Sequence, residues 1–228
     1  VKEIINGYIQ KKTRGNVDDL DYYCNKTHQK AALLEMYYEV VRHEAPYLFN
    51  SYLNYLERNR QEKDKFYKPR RRCFRKLGVI QALQDLEDDV LDILSLSLPP
   101  GTGKTTIEKF FATWVIGRDL EGYSLFYSHS DDIVRMFYDG VLDITTNVSE
   151  YAWREIFPKA QLQATNAKAE TINFGKYKPF ASMQCTTVGA KNSGKVRCNK
   201  YLFCDDLIGG IEEALNKITG SKKDIVLL

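Results

Sequence analysis

Between residues 31 and 67 the chain reads "AALLEMYYEVVRHEAPYLFNSYLNYLERNRQEKDKFY", with apolar and aromatic side chains recurring at three- and four-residue steps. That period predicts helices that bury one stripe, broken once at Pro46. More than half of the 15 tyrosines fall in the first 70 residues, and at this spacing they read as packing groups rather than as a ligand box. From residue 91 the texture changes to short apolar runs separated by helical stretches. "LDILSLSL" (91–98) and "YSLFYS" (123–128) predict buried strands, and "KTTIEKFFATWVIG" (104–117) and "DDIVRMFYDGVLDI" (131–144) predict helices, the second with Ser130 as its N-cap. Asn147 and Glu150 have the spacing of a capping box for a short helix over 149–157. "ETINF" and "SMQCTTV", joined by "GKYKPFA", predict a hairpin. "KYLFCDD" (200–206) and "DIVLL" (224–228) predict two further strands. Strand and helix alternate, so the expected fold is α/β: a three-layer sandwich with a mainly parallel central sheet and a helical subdomain before it.

The loop "LPPGTGKTT" joins the first predicted strand to the first helix of this second region. Order and composition are those of a phosphate-binding loop, G-x-x-x-x-G-K-[ST], except that Leu98 stands where the first glycine is required. Gly101 and Gly103 let the backbone N–H groups of the loop turn inward, toward phosphates at the positive end of the helix. Lys104 is placed to bridge the β- and γ-phosphates, and Thr105 to put its hydroxyl on Mg²⁺. The candidate nucleotide-binding set is Pro100, Gly101, Thr102, Gly103, Lys104, Thr105 and Thr106. A metal-side carboxylate is then needed from a neighbouring strand. "YLFCDD" supplies Asp205 for the metal and Asp206 to polarise the attacking water; Glu212 and Glu213 stand close behind, are longer, and leave the identity of the base open.

Composition narrows the setting. A chain of 228 residues with 43% hydrophobic content can bury a sizeable core, as one domain or a domain with a helical appendage. Five cysteines without a C-x-x-C pair, and three scattered histidines (His28, His43, His129), argue for reduced thiols and against a dedicated metal cage. No apolar run approaches membrane-spanning length, so a soluble intracellular protein is expected, with no use for the N-x-[ST] triplets at Asn25 and Asn147. The net charge of +3 is small, but "KPRRRCFRK" (68–76) and "KNSGKVRCNK" (191–200) are basic blocks on which a polyanion could land. Beginning with Val1, the chain is expected to be a fragment.

Taken together, these segments resemble the large terminase subunits of tailed bacteriophages, the motors that pump DNA into capsids. Their phosphate loops often lack the first glycine and follow a PP-x-x-GK-[ST] form, as "LPPGTGKTT" does. "SLFYSHSDDIVRMF", "WREIFP" and "TVGAKNSGKVRCNKYLFCDDLIGGIEEALN" are similar to later segments of that family, in the same order, and "KFYKPRR" to the segment just before its ATPase core. The likeness spans roughly residues 45 to 216. It implies a helical subdomain over 1–66 and an ATPase core of the P-loop NTPase type over 67–228, with the family's nuclease domain lying beyond this chain. It implies ATP and Mg²⁺ as ligands, double-stranded DNA, a portal protein and a small terminase subunit as partners, a working ring that is commonly a pentamer, and the host cytoplasm as the location. ATP hydrolysis is expected; DNA cleavage is not. By the same resemblance a neighbouring subunit donates an arginine, for which Arg197 is the choice, and Tyr67, Arg70 and Arg71 lie where the adenine is held. Lys104, Asp206, Glu213 and Arg197 form the expected catalytic set. Leu207 departs from the proline that often follows the two aspartates. Two other readings fit part of the pattern: a AAA+ ATPase such as a helicase loader, and a nucleotide-binding scaffold without useful turnover.

Overall fold

The computed structural model describes residues 30–68, 78–188 and 197–207. In chain order the elements are α1 (Lys30–Glu44), α2 (Phe49–Leu56), α3 (Val79–Glu87), α4 (Lys104–Arg118), β1 (Ser124–Ser128), α5 (Asp131–Thr146), α6 (Trp153–Ile156), β2 (Leu162–Asn166), β3 (Thr171–Phe174), β4 (Met183–Thr187) and β5 (Leu202–Cys204). They fall into two compact units, one within residues 1–94 and 149–156, the other within 95–148 and 157–228. The α3 helix belongs with α2, where Gln84 Oε1 accepts the N–H of Phe49 at 2.7 Å and so caps α2, and α6 returns to the same unit when the Ala152 N–H bonds the Leu56 carbonyl.

In the first unit α1 stops at Glu44 because a residue preceding proline is pushed out of helical conformation, and the chain restarts at Phe49. The apolar stripe of α2 is fully buried: Phe49, Tyr52, Leu53, Tyr55 and Leu56 are all at or below 1% exposure. The stretch after Leu56 carries helical periodicity but turns instead, and a buried carboxylate explains why. Glu57 is 2% exposed and accepts from Arg60 Nη1 at 2.8 Å, the Phe66 N–H at 3.0 Å and the Tyr67 N–H at 2.8 Å. It thus ties the returning strand of chain to the end of α2. Removing it leaves the Phe66 and Tyr67 N–H groups without their acceptor, while Arg60 keeps its pair with Glu150 at 2.7 Å. Glu57→Ala is expected to destabilise this unit by about 1–3 kcal/mol. Urea unfolding followed by Trp153 fluorescence in a Trp114→Phe background checks this, since the two tryptophans lie in different units; an unchanged midpoint would refute the tie.

The second unit is a five-stranded sheet in the order β2-β3-β4-β1-β5. Of its pairings, β4 with β1 and β1 with β5 are parallel, while β2 with β3 and β3 with β4 are antiparallel. The mainly parallel sheet expected from the alternation is thus half right. The hairpin between β3 and β4 forms as expected, and the short turn at 167–170 can join β2 to β3 only in antiparallel fashion. One face is covered by α4 and α5: Phe126 of β1 stacks on Phe137 at 3.8 Å, and Phe203 of β5 lies 6.3 Å from both Phe111 and Phe137. On the opposite face Leu202 and Cys204 are exposed, and no described helix of this unit covers them. The expected third layer is therefore not seen among the described residues. Residues 91–98 are not a strand either: they pair with no strand of the sheet, and Ile93 is 86% exposed. The predicted strand at 224–228 lies outside the described residues. No described helix is long and apolar enough to cross a membrane.

Candidate nucleotide-binding site

The loop before α4 turns on two glycines. Gly101 has φ +75° and Gly103 φ +88°, a left-handed region where an L side chain is strained, and Gly103 is the residue that opens the helix. Thr102 closes the turn by donating its hydroxyl to the Pro99 carbonyl at 2.7 Å. Leu98 is not among the described residues with positive φ, so the position of the missing glycine makes no conformational demand here. The reversal has moved downstream, after Pro99 and Pro100. The first N–H groups of α4 have no acceptor within the helix, and they point with the helix dipole toward the loop.

On α4, Thr105 reaches the sheet: its Oγ1 donates to Asp205 Oδ2 at 2.7 Å, across 100 residues of sequence. Asp205 is set there by β5, because its N–H continues the parallel ladder to the Tyr127 carbonyl at 3.0 Å. Loop and carboxylate strand therefore meet at the carboxyl-terminal edge of the sheet. Asp206 follows with an exposed side chain and φ +46°. One helical turn beyond Thr105, and so on the same side of α4, Glu108 is pushed up to about 8, first by burial and then by the negative charge of Asp205, with Lys109 opposing. Burial also holds Lys109 below the ordinary lysine range. Burial pushes the Cys185 thiol well up, which leaves it as an inert packing group.

Other expected site residues lie elsewhere. Tyr67 is buried in the first unit at 5% exposure, and its hydroxyl donates to Asn50 Oδ1 at 2.5 Å. Arg197 is exposed, with its guanidinium 5.9 Å from the Phe180 ring centroid; Phe180 in turn packs edge-on against Tyr123, the residue before β1. That is the end of the parallel strands opposite to Asp205. Arg70, Arg71, Glu212, Glu213, Lys191 and Lys195 lie outside the described residues. Sequence reasoning passed over Glu108, although its i+3 relation to Thr105 was a usable signal, and it set His129 aside as one of three scattered histidines.

Among the described residues no group of three or more histidine, cysteine, aspartate or glutamate side chains could hold a metal ion. The residues nonetheless fit Mg²⁺ of the kind that arrives with phosphates, which asks a protein for only one or two oxygens and takes the rest from substrate and water. Thr105 Oγ1 and Asp205 Oδ2, already in contact, are two such oxygens. Comparison with known proteins finds no matching family profile, no matching characterised protein and no matching solved structure.

Proposed function

We propose that this chain binds and hydrolyses ATP with Mg²⁺, as the motor domain of a DNA-packaging terminase. The observation that carries the reading is the hydrogen bond from Thr105 to Asp205, which joins a glycine-turned loop at a helix N-terminus to a carboxylate on a neighbouring strand. A glycine loop alone could be a tight turn, and an aspartate alone could be a helix cap; the contact between them is what a phosphate-and-metal site needs.

In this mechanism the loop amides and the α4 N-terminus hold the phosphate oxygens, and Lys104 neutralises charge between the β- and γ-phosphates. Thr105 and Asp205 would hold Mg²⁺, which supplies electrophilic stabilisation of the phosphoryl oxygens when bound. Asp206, exposed beside Asp205, or Glu213 accepts the proton of the attacking water. The packaging part of the proposal, with duplex DNA, a portal protein and a small subunit as partners, a ring as working state and the host cytoplasm as location, rests on the family resemblance. The basic blocks at 68–76 and 191–200 are compatible with phosphate contact by a surface that reads no bases.

The test is steady-state ATP hydrolysis against protein concentration, with and without linear duplex DNA, beside Lys104→Ala. Specific activity is expected to climb with concentration and with DNA, and to vanish in the variant. ATP binding with no turnover above that control, in this chain and in one extended past Leu228, would favour the scaffold reading.

A further inference from the structure

The ladder between β1 and β5 is regular up to Asp205 and then slips. In register, Leu125 pairs with Leu202 and Tyr127 with Cys204; the Leu125 N–H goes to the Tyr201 carbonyl, and the Asp205 N–H to the Tyr127 carbonyl. A parallel ladder continued at this spacing would send the His129 N–H to the carbonyl of Asp205. It goes instead to the carbonyl of Asp206, at 3.0 Å. On the other side of β1 the pairing stays regular, with the Val188 N–H on the Ser128 carbonyl at 2.9 Å. The slip is therefore a one-residue bulge confined to the carboxylate strand, and the left-handed φ of Asp206 is its backbone signature.

What holds the bulge converges on one carbonyl oxygen. The carbonyl of Asp206 is met by the His129 N–H, by His129 Nδ1 at 2.5 Å and by Ser128 Oγ at 3.4 Å. A carbonyl oxygen only accepts, so His129 carries its proton on Nδ1 and donates twice to the same oxygen. Without the bulge the strand would run straight through both aspartates. Asp205 keeps the face of Phe203 by the regular ladder and reaches Thr105, while the bulge turns Asp206 outward at the site edge. Bulges beside active sites commonly re-aim a side chain in this way.

We propose that His129 is a positioning residue of the nucleotide site, whose Nδ1–H locks the bulge at Asp206 and thereby sets the direction of that carboxylate beside the metal-side Asp205. The inference rests on the proposed function for its chemical meaning, and on the hydrogen bonds alone for its structure. Asparagine places an amide nitrogen where Nδ1 stands, and glutamine places one where Nε2 stands, so the pair reports which nitrogen matters. In single-turnover ATP hydrolysis, His129→Ala and His129→Gln are expected to lose on the order of 10-fold in rate. His129→Asn is expected to recover most of it, and the Kd for a fluorescent ATP analogue should move less than about twofold, the scale of a lost group that does not touch the ligand. Recovery by glutamine rather than asparagine, or a Kd that rises in step with the loss of rate, overturns the proposal. Long-range ¹H–¹⁵N correlation of the histidine rings, assigned with the His129→Asn variant, supplies a readout free of turnover. An Nδ1–H tautomer is expected, and an Nε2–H tautomer sinks the lock whatever the kinetics. If the unaltered chain and one extended past Leu228 both show no turnover above Lys104→Ala, the hydrolase reading fails, while the tautomer still decides whether His129 holds Asp206.

Discussion

Arg197→Ala is expected to lower ATP turnover by about 10³–10⁵-fold while leaving nucleotide affinity nearly intact, because an arginine offered to the γ-phosphate offsets charge that develops only in the transition state. Where the arginine stands decides how it acts. Its guanidinium lies over Phe180, at the level of Tyr123, whereas Asp205 bonds to Tyr127. Those levels are four residues apart on an extended strand, about 13 Å at the usual rise. In this arrangement Arg197 cannot serve the site of its own chain, so the proposed mechanism needs a second copy to bring it. A mixing experiment follows directly. Lys104→Ala and Arg197→Ala, each inactive alone, are expected to regain activity when combined, since some neighbours then pair an intact loop with an intact arginine. If the mixture stays as inactive as its parts while both variants still assemble, Arg197 is not the donated cation.

How much of this was legible beforehand differs by element, for physical reasons. The α4 and α5 helices, β1 and the β3–β4 hairpin were readable because their signals are local: a period, a turn, an N-cap position. Even there the local signal gave the place and not the bond. Ser130 does precede α5, with extended backbone, but makes no side-chain cap. The capping box read from Asn147 and Glu150 opens no helix, since 148–150 form a turn and α6 begins at Trp153; Asn147 Nδ2 donates back to Asp143 at the end of α5, and Glu150 pairs with Arg60 at 2.7 Å. The β2 strand, "LQATN", went unseen because four of its five residues are exposed and no buried face marks it. The α3 helix, only nine residues long, also went unread. Sheet order and direction were beyond reach, since they depend on pairings between strands far apart in sequence. At the site, spacing identified the loop and the two aspartates, but neither the contact that joins the loop to Asp205 nor the bulge that aims Asp206 is written in any short pattern.

Asp205→Asn separates what this carboxylate does for chemistry from what it costs the fold. Turnover is expected to fall on the order of 10³-fold, the equivalent of several kcal/mol of lost metal-side stabilisation. Asparagine keeps a carbonyl oxygen for the Thr105 hydroxyl, so the loop should stay docked. Stability should move the other way. Burial first, and then the charge of Asp205, raise Glu108 from 4.5 to about 8. A carboxyl whose folded value lies above its unfolded one binds its proton more tightly when folded, so its contribution is fully present below pH 4.5 and is lost as the pH rises through about 8. The slope is up to about 1.4 kcal/mol per pH unit within that window, less wherever Lys109 or water relieves the charge. With Asp205 neutral, Glu108 ionises at lower cost, and the loss toward alkaline pH shrinks. Denaturant midpoints at pH 5 and pH 8.5 should therefore show the variant gaining on the unaltered chain as the pH rises, by on the order of 1 kcal/mol. A difference that is constant with pH would mean that Glu108 and Asp205 do not feel one another. A gain at high pH together with lost turnover would place Asp205 among residues kept for function against the interest of the fold.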